Sequence, residues 1–165
     1  MEFLCLTHPR KILILKYLRE NPILSKVYYT DRKTGENRLL NFPCKKLDAG
    51  ERFSVMLDHN GALYTASKKG DDVPTFTLMH ELFDRGVRLV DVCCSWANFI
   101  GLDTNGTAHL GSVSPKGRTV KQLNFFGPVL QIGAGNVHMY ARTNDKIFKV
   151  TEHDMDRLNG EIVQL

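Results

Sequence analysis

The sequence predicts an all-β protein, a partial β-propeller of about three to three and a half four-stranded blades with a short N-terminal helix. Three observations carry this. The hairpin signature Leu-Asp-x-Asn-Gly occurs at Leu57–Gly61 and again at Leu102–Gly106, an offset of 45 residues. A third segment, Gly133 to Phe148, aligns 40 residues further on, with a turn one residue shorter. Each segment is preceded and followed by short apolar runs at matching places. Periods of this size mark propellers and solenoids, in which one repeat cannot bury its apolar faces alone and stacks on the next.

Within each repeat the elements follow in order. Cys44 and Leu47, Leu89 and Val92, and Val129 and Ile132 anchor a first strand. The runs Phe53–Leu57, Phe99–Leu102 and Met139–Ala141 read as a second, buried strand. The turns carry Asn60-Gly61 and Asn105-Gly106, because Asn and Gly accept positive φ at low cost. Ala62–Tyr64, Thr107–Leu110 and Ile147–Val150 read as the antiparallel third strand. A polar loop, such as Ser114-Pro115-Lys116-Gly117, then leads to an outer strand at Thr75–Leu78, Thr119–Leu123 and Glu161–Leu165. Four strands per repeat make one blade.

Upstream, Lys26–Thr30 and Arg38–Phe42 read as the last two strands of an earlier blade. The expected division is therefore an extension at 1–25, a half blade at 26–43, and blades at 44–86, 87–127 and 128–165. In the extension, Thr7-His8-Pro9 suits a helix start and Asn21-Pro22 a stop. Ile12, Leu15 and Leu18 form a stripe between them. A strand over Lys11–Lys16 is the alternative.

The repeats resemble those of the regulator-of-chromosome-condensation family over residues 44–165. Gly135-Asn136-Val137-His138-Met139-Tyr140-Ala141 keeps the family's Gly, His and Ala, and Leu89-Val90-Asp91-Val92-Cys93-Cys94 keeps the hydrophobic frame and a Cys. The departures are Ser95 for Gly, Phe53 and Asn98 for His, and the absence of the closing Trp-Gly. On this resemblance Gly50, Asn60, Gly61, Cys94, Asn105, Gly106, Gly135 and His138 are structural repeat positions, His138 near the hub. The resemblance also implies a seven-bladed circle, of which this chain holds about half. Such an arc leaves unpaired backbone at its ends and a partly uncovered apolar flank. That predicts self-association, completion by another protein, or capping by the chain's own termini.

Composition narrows the function classes. The chain has 165 residues, 42% of them hydrophobic and 24% charged, which suits one globular domain. No apolar run approaches the ~20 residues of a membrane span, and the N-terminus lacks the form of a secretory signal. Cys5, Cys44, Cys93 and Cys94 show no metal-ligand spacing and read as free, mostly buried thiols, so the expected setting is intracellular, cytoplasmic or nuclear. Residues 1–52 hold 11 Lys/Arg against 6 Asp/Glu, a balance of +5, while the remainder holds 11 against 12. This basic third is interleaved with apolar residues and suits a solvated face, or contact with nucleic acid, an acidic protein or an anionic membrane.

No phosphate loop, dinucleotide-binding turn, zinc motif or nucleophile elbow is present. The flanking Val90, Val92 and Trp96 place Cys93-Cys94 on a buried strand, where a thiol is inert. The expectation is a non-catalytic protein–protein interaction module or complex subunit, without metal, small-molecule cofactor or membrane contact. The alternatives are a nucleic-acid or chromatin adaptor and, as the resemblance permits, an exchange factor for a small GTPase. Partner contact is expected from Arg10, Lys11, Leu15, Tyr17 and Leu18, and from Trp96 as an exposed aromatic.

Overall fold

The structure, a computed structural model, describes residues 2–8, 11–16, 26–31, 34–40, 43–67, 75–114, 116–125, 127–150 and 163–164. Four antiparallel four-stranded sheets follow one another along the chain. The first is β1 (Glu2–His8), β2 (Lys11–Lys16), β3 (Lys26–Asp31) and β4 (Asn37–Leu40). The second is β5 (Lys46–Ala49), β6 (Phe53–Leu57), β7 (Leu63–Ser67) and β8 (Thr77–Leu78). The third is β9 (Leu89–Cys94), β10 (Asn98–Asp103), β11 (Ala108–Ser114) and β12 (Gly117–Leu123). The fourth is β13 (Gln131–Ala134), β14 (Met139–Arg142), β15 (Ile147–Val150) and β16 (Val163–Gln164). Within every sheet the strands pair in sequence order. The first strands β1, β5, β9 and β13 lie against one another in succession, which makes them the inner wall of an arc.

The N-terminal expectation is corrected. Lys11–Lys16 is a strand, not part of a helix: it pairs residue for residue with β1 on one side and β3 on the other. The apolar spacing of Ile12, Leu15 and Leu18 suits a helical stripe, but Ile12-Leu13-Ile14-Leu15 is equally a strand apolar at every position. Two flanking ladders decide the matter, because each satisfies backbone groups that a lone helix would keep to itself. The expected half blade is accordingly the outer half of a complete first sheet, and the arc has four sheets. The helix among the described residues is α1 (His80–Phe83), one turn between the second and third sheets.

Among the described residues two cores sit between sheets. Phe53, Val55, Leu57 and Leu63 of the second sheet pack with Leu89, Val92, Cys94, Phe99 and Val113 of the third, closed by Met79 just before α1 and Leu82 on it. Phe53 meets Phe99 edge to face, with ring centroids 6.5 Å apart. Gly111, paired across the ladder with Phe99, leaves the space that this ring fills. The other core joins Ile100, Leu102, Ala108 and Leu110 of the third sheet to Val129, Ile132, Met139, Ala141 and Val150 of the fourth.

The hairpin turns also fasten sheet to sheet. Asp58 Oδ1 accepts from the backbone N–H groups of Asn60 and Ala62, and Asp103 Oδ1 from those of Asn105 and Thr107. Gly61 and Gly106 then take φ of 80° and 77°. Their carbonyls accept from the N–H groups of Leu89 and Val129, the residues that open the next repeat, at 2.9 and 2.8 Å. A Cβ on Gly61 would lie 2.8 Å from the Leu89 carbonyl oxygen, so glycine is required there twice over, by torsion and by space.

Candidate protein-binding face

The loops joining first to second strands line up on one rim of the arc. A tight turn closes two of them: the N–H of Ser95 donates to the Asn98 carbonyl and that of Gly135 to the His138 carbonyl, both at 2.8 Å. Successive loops are then linked by backbone. The Glu51 N–H donates to the Trp96 carbonyl, and the Trp96 N–H to the Asn136 carbonyl, both at 2.9 Å. Glu51, Trp96 and Asn136 are equivalent residues at the repeat offsets of 45 and 40, so one hydrogen-bond step recurs from sheet to sheet.

Gly50 permits the close approach this needs, since a Cβ there would lie 2.4 Å from the Ser95 carbonyl oxygen. With the backbone pinned, the side chains of Trp96 itself and of Val137, the residue after Asn136, project outward. Trp96 is 46% exposed and Val137 59%. With Arg52, Ser95, Ala97 and Asn98 they line a cleft of about 270 Å³. An indole on a fixed backbone, flanked by an aliphatic and a guanidinium, has the composition of an interface anchor.

Nearer the axis, Lys46 on β5 reaches across to the third sheet, its Nζ 2.5 Å from Asp91 Oδ1 and 3.7 Å from Cys93 Sγ. Burial disfavours the charge on Lys46, but the Asp91 carboxylate outweighs it and holds the ammonium above its usual range. Burial likewise pushes the Cys93 thiol up, and that of Cys44 up to about 12. Both thiols are therefore protonated and unreactive at neutral pH. Among the described residues no group of three or more His, Cys, Asp and Glu side chains is placed to hold a metal ion.

Of the residues expected to bind a partner, Trp96 stands on this rim. Lys11 and Leu15 lie on β2, and Arg10, Tyr17 and Leu18 fall outside the described residues. Among the repeat positions, Gly50, Gly61 and Gly106 stand where neighbouring sheets meet. Cys94 is buried on β9, Asn60 and Asn105 are exposed in the turns, and Gly135 and half-buried His138 close the last rim loop. Arg52 and Val137 are additions. The repeat offset was the signal for them, since it places 52 and 137 in the loops equivalent to that of Trp96.

No protein-family model matches the chain, and no curated protein does. Solved structures do. Human WBSCR16 superposes with a TM-score of 0.65 at 12% identity, over 86% of this chain and 45% of that one. Prp20p from Saccharomyces cerevisiae superposes with a TM-score of 0.60 at 13% identity, over 94% of this chain and 47% of that one. The fragment HIRA(644-1017) gives 0.54 at 12% identity, over 90% and 51%. The fold is that of a β-propeller. This propeller arc spans about half the length of each of these chains.

Proposed function

We propose that the chain is a non-catalytic protein-interaction module, a subunit that docks onto or completes a larger assembly, with repeats of the regulator-of-chromosome-condensation kind. The observation that carries this reading is the rim of Arg52, Trp96 and Val137, whose exposed side chains stand on backbone already hydrogen-bonded from sheet to sheet. Such a surface binds without first being ordered, so little of the contact energy is lost on association. The likeness to Prp20p supports a protein partner: that protein is described with binding properties to Gsp1p and histones, and bound by Kap60.

Nucleic-acid contact by the basic first third has less behind it. Of its cations with described side chains, Lys46 is engaged by Asp91 and Arg38 by Glu36, while Lys45 is exposed and Arg52 stands on the rim beside Trp96. The test is affinity capture from source cells with the wild type and a Trp96→Ala/Val137→Ser variant. Both positions are exposed, so folding is retained. At least one specifically captured protein should fall by about tenfold or more, as loss of an interface anchor entails. An unchanged set of captured proteins would refute the rim as the contact.

A further inference from the structure

The two ends of the arc differ in kind. At equivalent positions, the second sheet meets the third through Val55, Leu57, Leu63 and Thr65, and the third meets the fourth through Ile100, Leu102, Ala108 and Leu110. All eight are buried. The ladder pairs Tyr140 with Lys149 and Arg142 with Ile147, so the same four positions of the fourth sheet hold Tyr140, Arg142, Ile147 and Lys149. Arg142 is exposed and donates from Nε to Gln131 Oε1 at 3.2 Å; Ile147 is 47% exposed. Two cations stand among the four, a composition of the kind that the outer face of a capping repeat presents to solvent.

The first sheet is the opposite. Its register places Phe3, Cys5, Leu13, Leu15, Val27 and Tyr29 on one face, and Leu4, Leu6, Ile12, Ile14, Tyr28 and Thr30 on the other. In β1, β2 and β3 charged residues stand only at the strand ends, Glu2, Lys16 and Lys26 at one and Lys11 and Asp31 at the other; β4 adds the exposed Arg38, paired with Tyr29. A strand apolar at every position is one whose sheet is covered on both faces. Among the described residues the first sheet has one neighbouring sheet, the second.

Resting on the protein-interaction reading, we infer that the arc is extended at one end only: a β-sheet of another protein, apolar on the side it offers, docks on the free face of β1–β4, while the fourth sheet ends the arc. Continuity argues for a sheet as occupant, because each other apolar face of this kind in the molecule is covered by the next four-stranded sheet. A second copy docking head to tail is disfavoured, because it would press Arg142 and Lys149 against uncharged side chains without partners for their charge.

The test makes the fourth sheet resemble the third with Tyr140→Ile/Arg142→Leu/Lys149→Leu. That variant gains a face complementary to the first sheet and should associate head to tail, raising the light-scattering mass at micromolar concentration by about twofold or more. Adding Leu13→Glu or Ile14→Glu, whichever lies on the free face, should restore the wild-type mass. A triple variant of unchanged mass, association that survives both charges, or a wild type that already pairs through β2 would overturn the inference.

Photo-crosslinking from Leu13, Ile14 and Ile147 in source cells covers the case of a triple variant that does not fold. One β2 position should yield an adduct with a single other protein, Ile147 none. That protein, once purified, should lose binding by about tenfold or more with a charge at the same β2 position and keep it with Arg142→Glu. Adducts with the chain itself, adducts from Ile147, or none from β2 would refute it. Loss of capture on Trp96→Ala/Val137→Ser without any β2 adduct leaves the protein-interaction reading standing and removes only this one.

Discussion

In the second and third sheets the second strand buries every residue, Phe53–Leu57 on β6 and Asn98–Asp103 on β10; in the fourth sheet β14 buries only Met139 and Ala141. The three strands occupy the same place in their repeats and differ in what lies on either side. A sheet with neighbours on both faces selects apolar or small residues at every position, whereas one with a single neighbour alternates. Burial pattern along one strand therefore reports position in the arc.

That contrast breaks first, and most severely, at the centre. Phe99→Ala removes a fully buried ring that Phe53 meets edge to face, and should lower unfolding stability by about 3–5 kcal/mol in a denaturant titration. Should the central sheets tolerate it as an outer position would, the two-faced burial is wrong.

The glycines sharpen the comparison next. Gly61→Ala combines positive φ with a backbone contact from the next repeat and should cost about 1–3 kcal/mol, with a matching fall in melting temperature. Gly135→Ala, in the last sheet, meets nothing nearer than the His138 carbonyl oxygen at 3.8 Å and should stay within about 0.5 kcal/mol of wild type.

A pH effect follows from the turn of the third sheet. Burial pushes the Asp103 carboxyl up, but hydrogen bonds from His109 and from the Thr107 and Asn105 N–H groups outweigh it and hold the group below its usual 3.8. A depressed folded value means the contribution is complete above the unfolded value and is lost as pH falls through the folded one. Acid titration of Asp103→Asn should show a shallower loss of stability below about pH 4 than wild type. Equal acid slopes would refute the assignment. The smallest effect belongs to the outer face of the fourth sheet, where Ile147→Ser should change stability by no more than about 0.5 kcal/mol in thermal unfolding.

Much of this was legible from residues in order. Asn-Gly at 60–61 and 105–106 announced the turns, and Phe53–Leu57 and Ile147–Val150 matched their strands at both ends. Met139–Ala141 read as a buried strand like its equivalents, and the structure corrects this: Met139 and Ala141 are buried, Tyr140 is half-buried and Arg142 exposed, an alternation of period two. The rim was harder, because Arg52 and Val137 join Trp96 only when three loops 40 and 45 residues apart are stacked. The Lys46–Asp91 pair needed the same step.

What the sequence settled alone was the unit: a hairpin of buried strands with its turn chemistry, repeated at a near-constant offset, because torsional preference and hydrophobic period act over a few neighbouring residues. What only the tertiary structure decided was the state of Lys11–Lys16 and the number of sheets. A run that is apolar throughout fits a helix and a doubly covered strand alike, and the choice fell to β1 and β3, whose ladders satisfy its backbone on both sides.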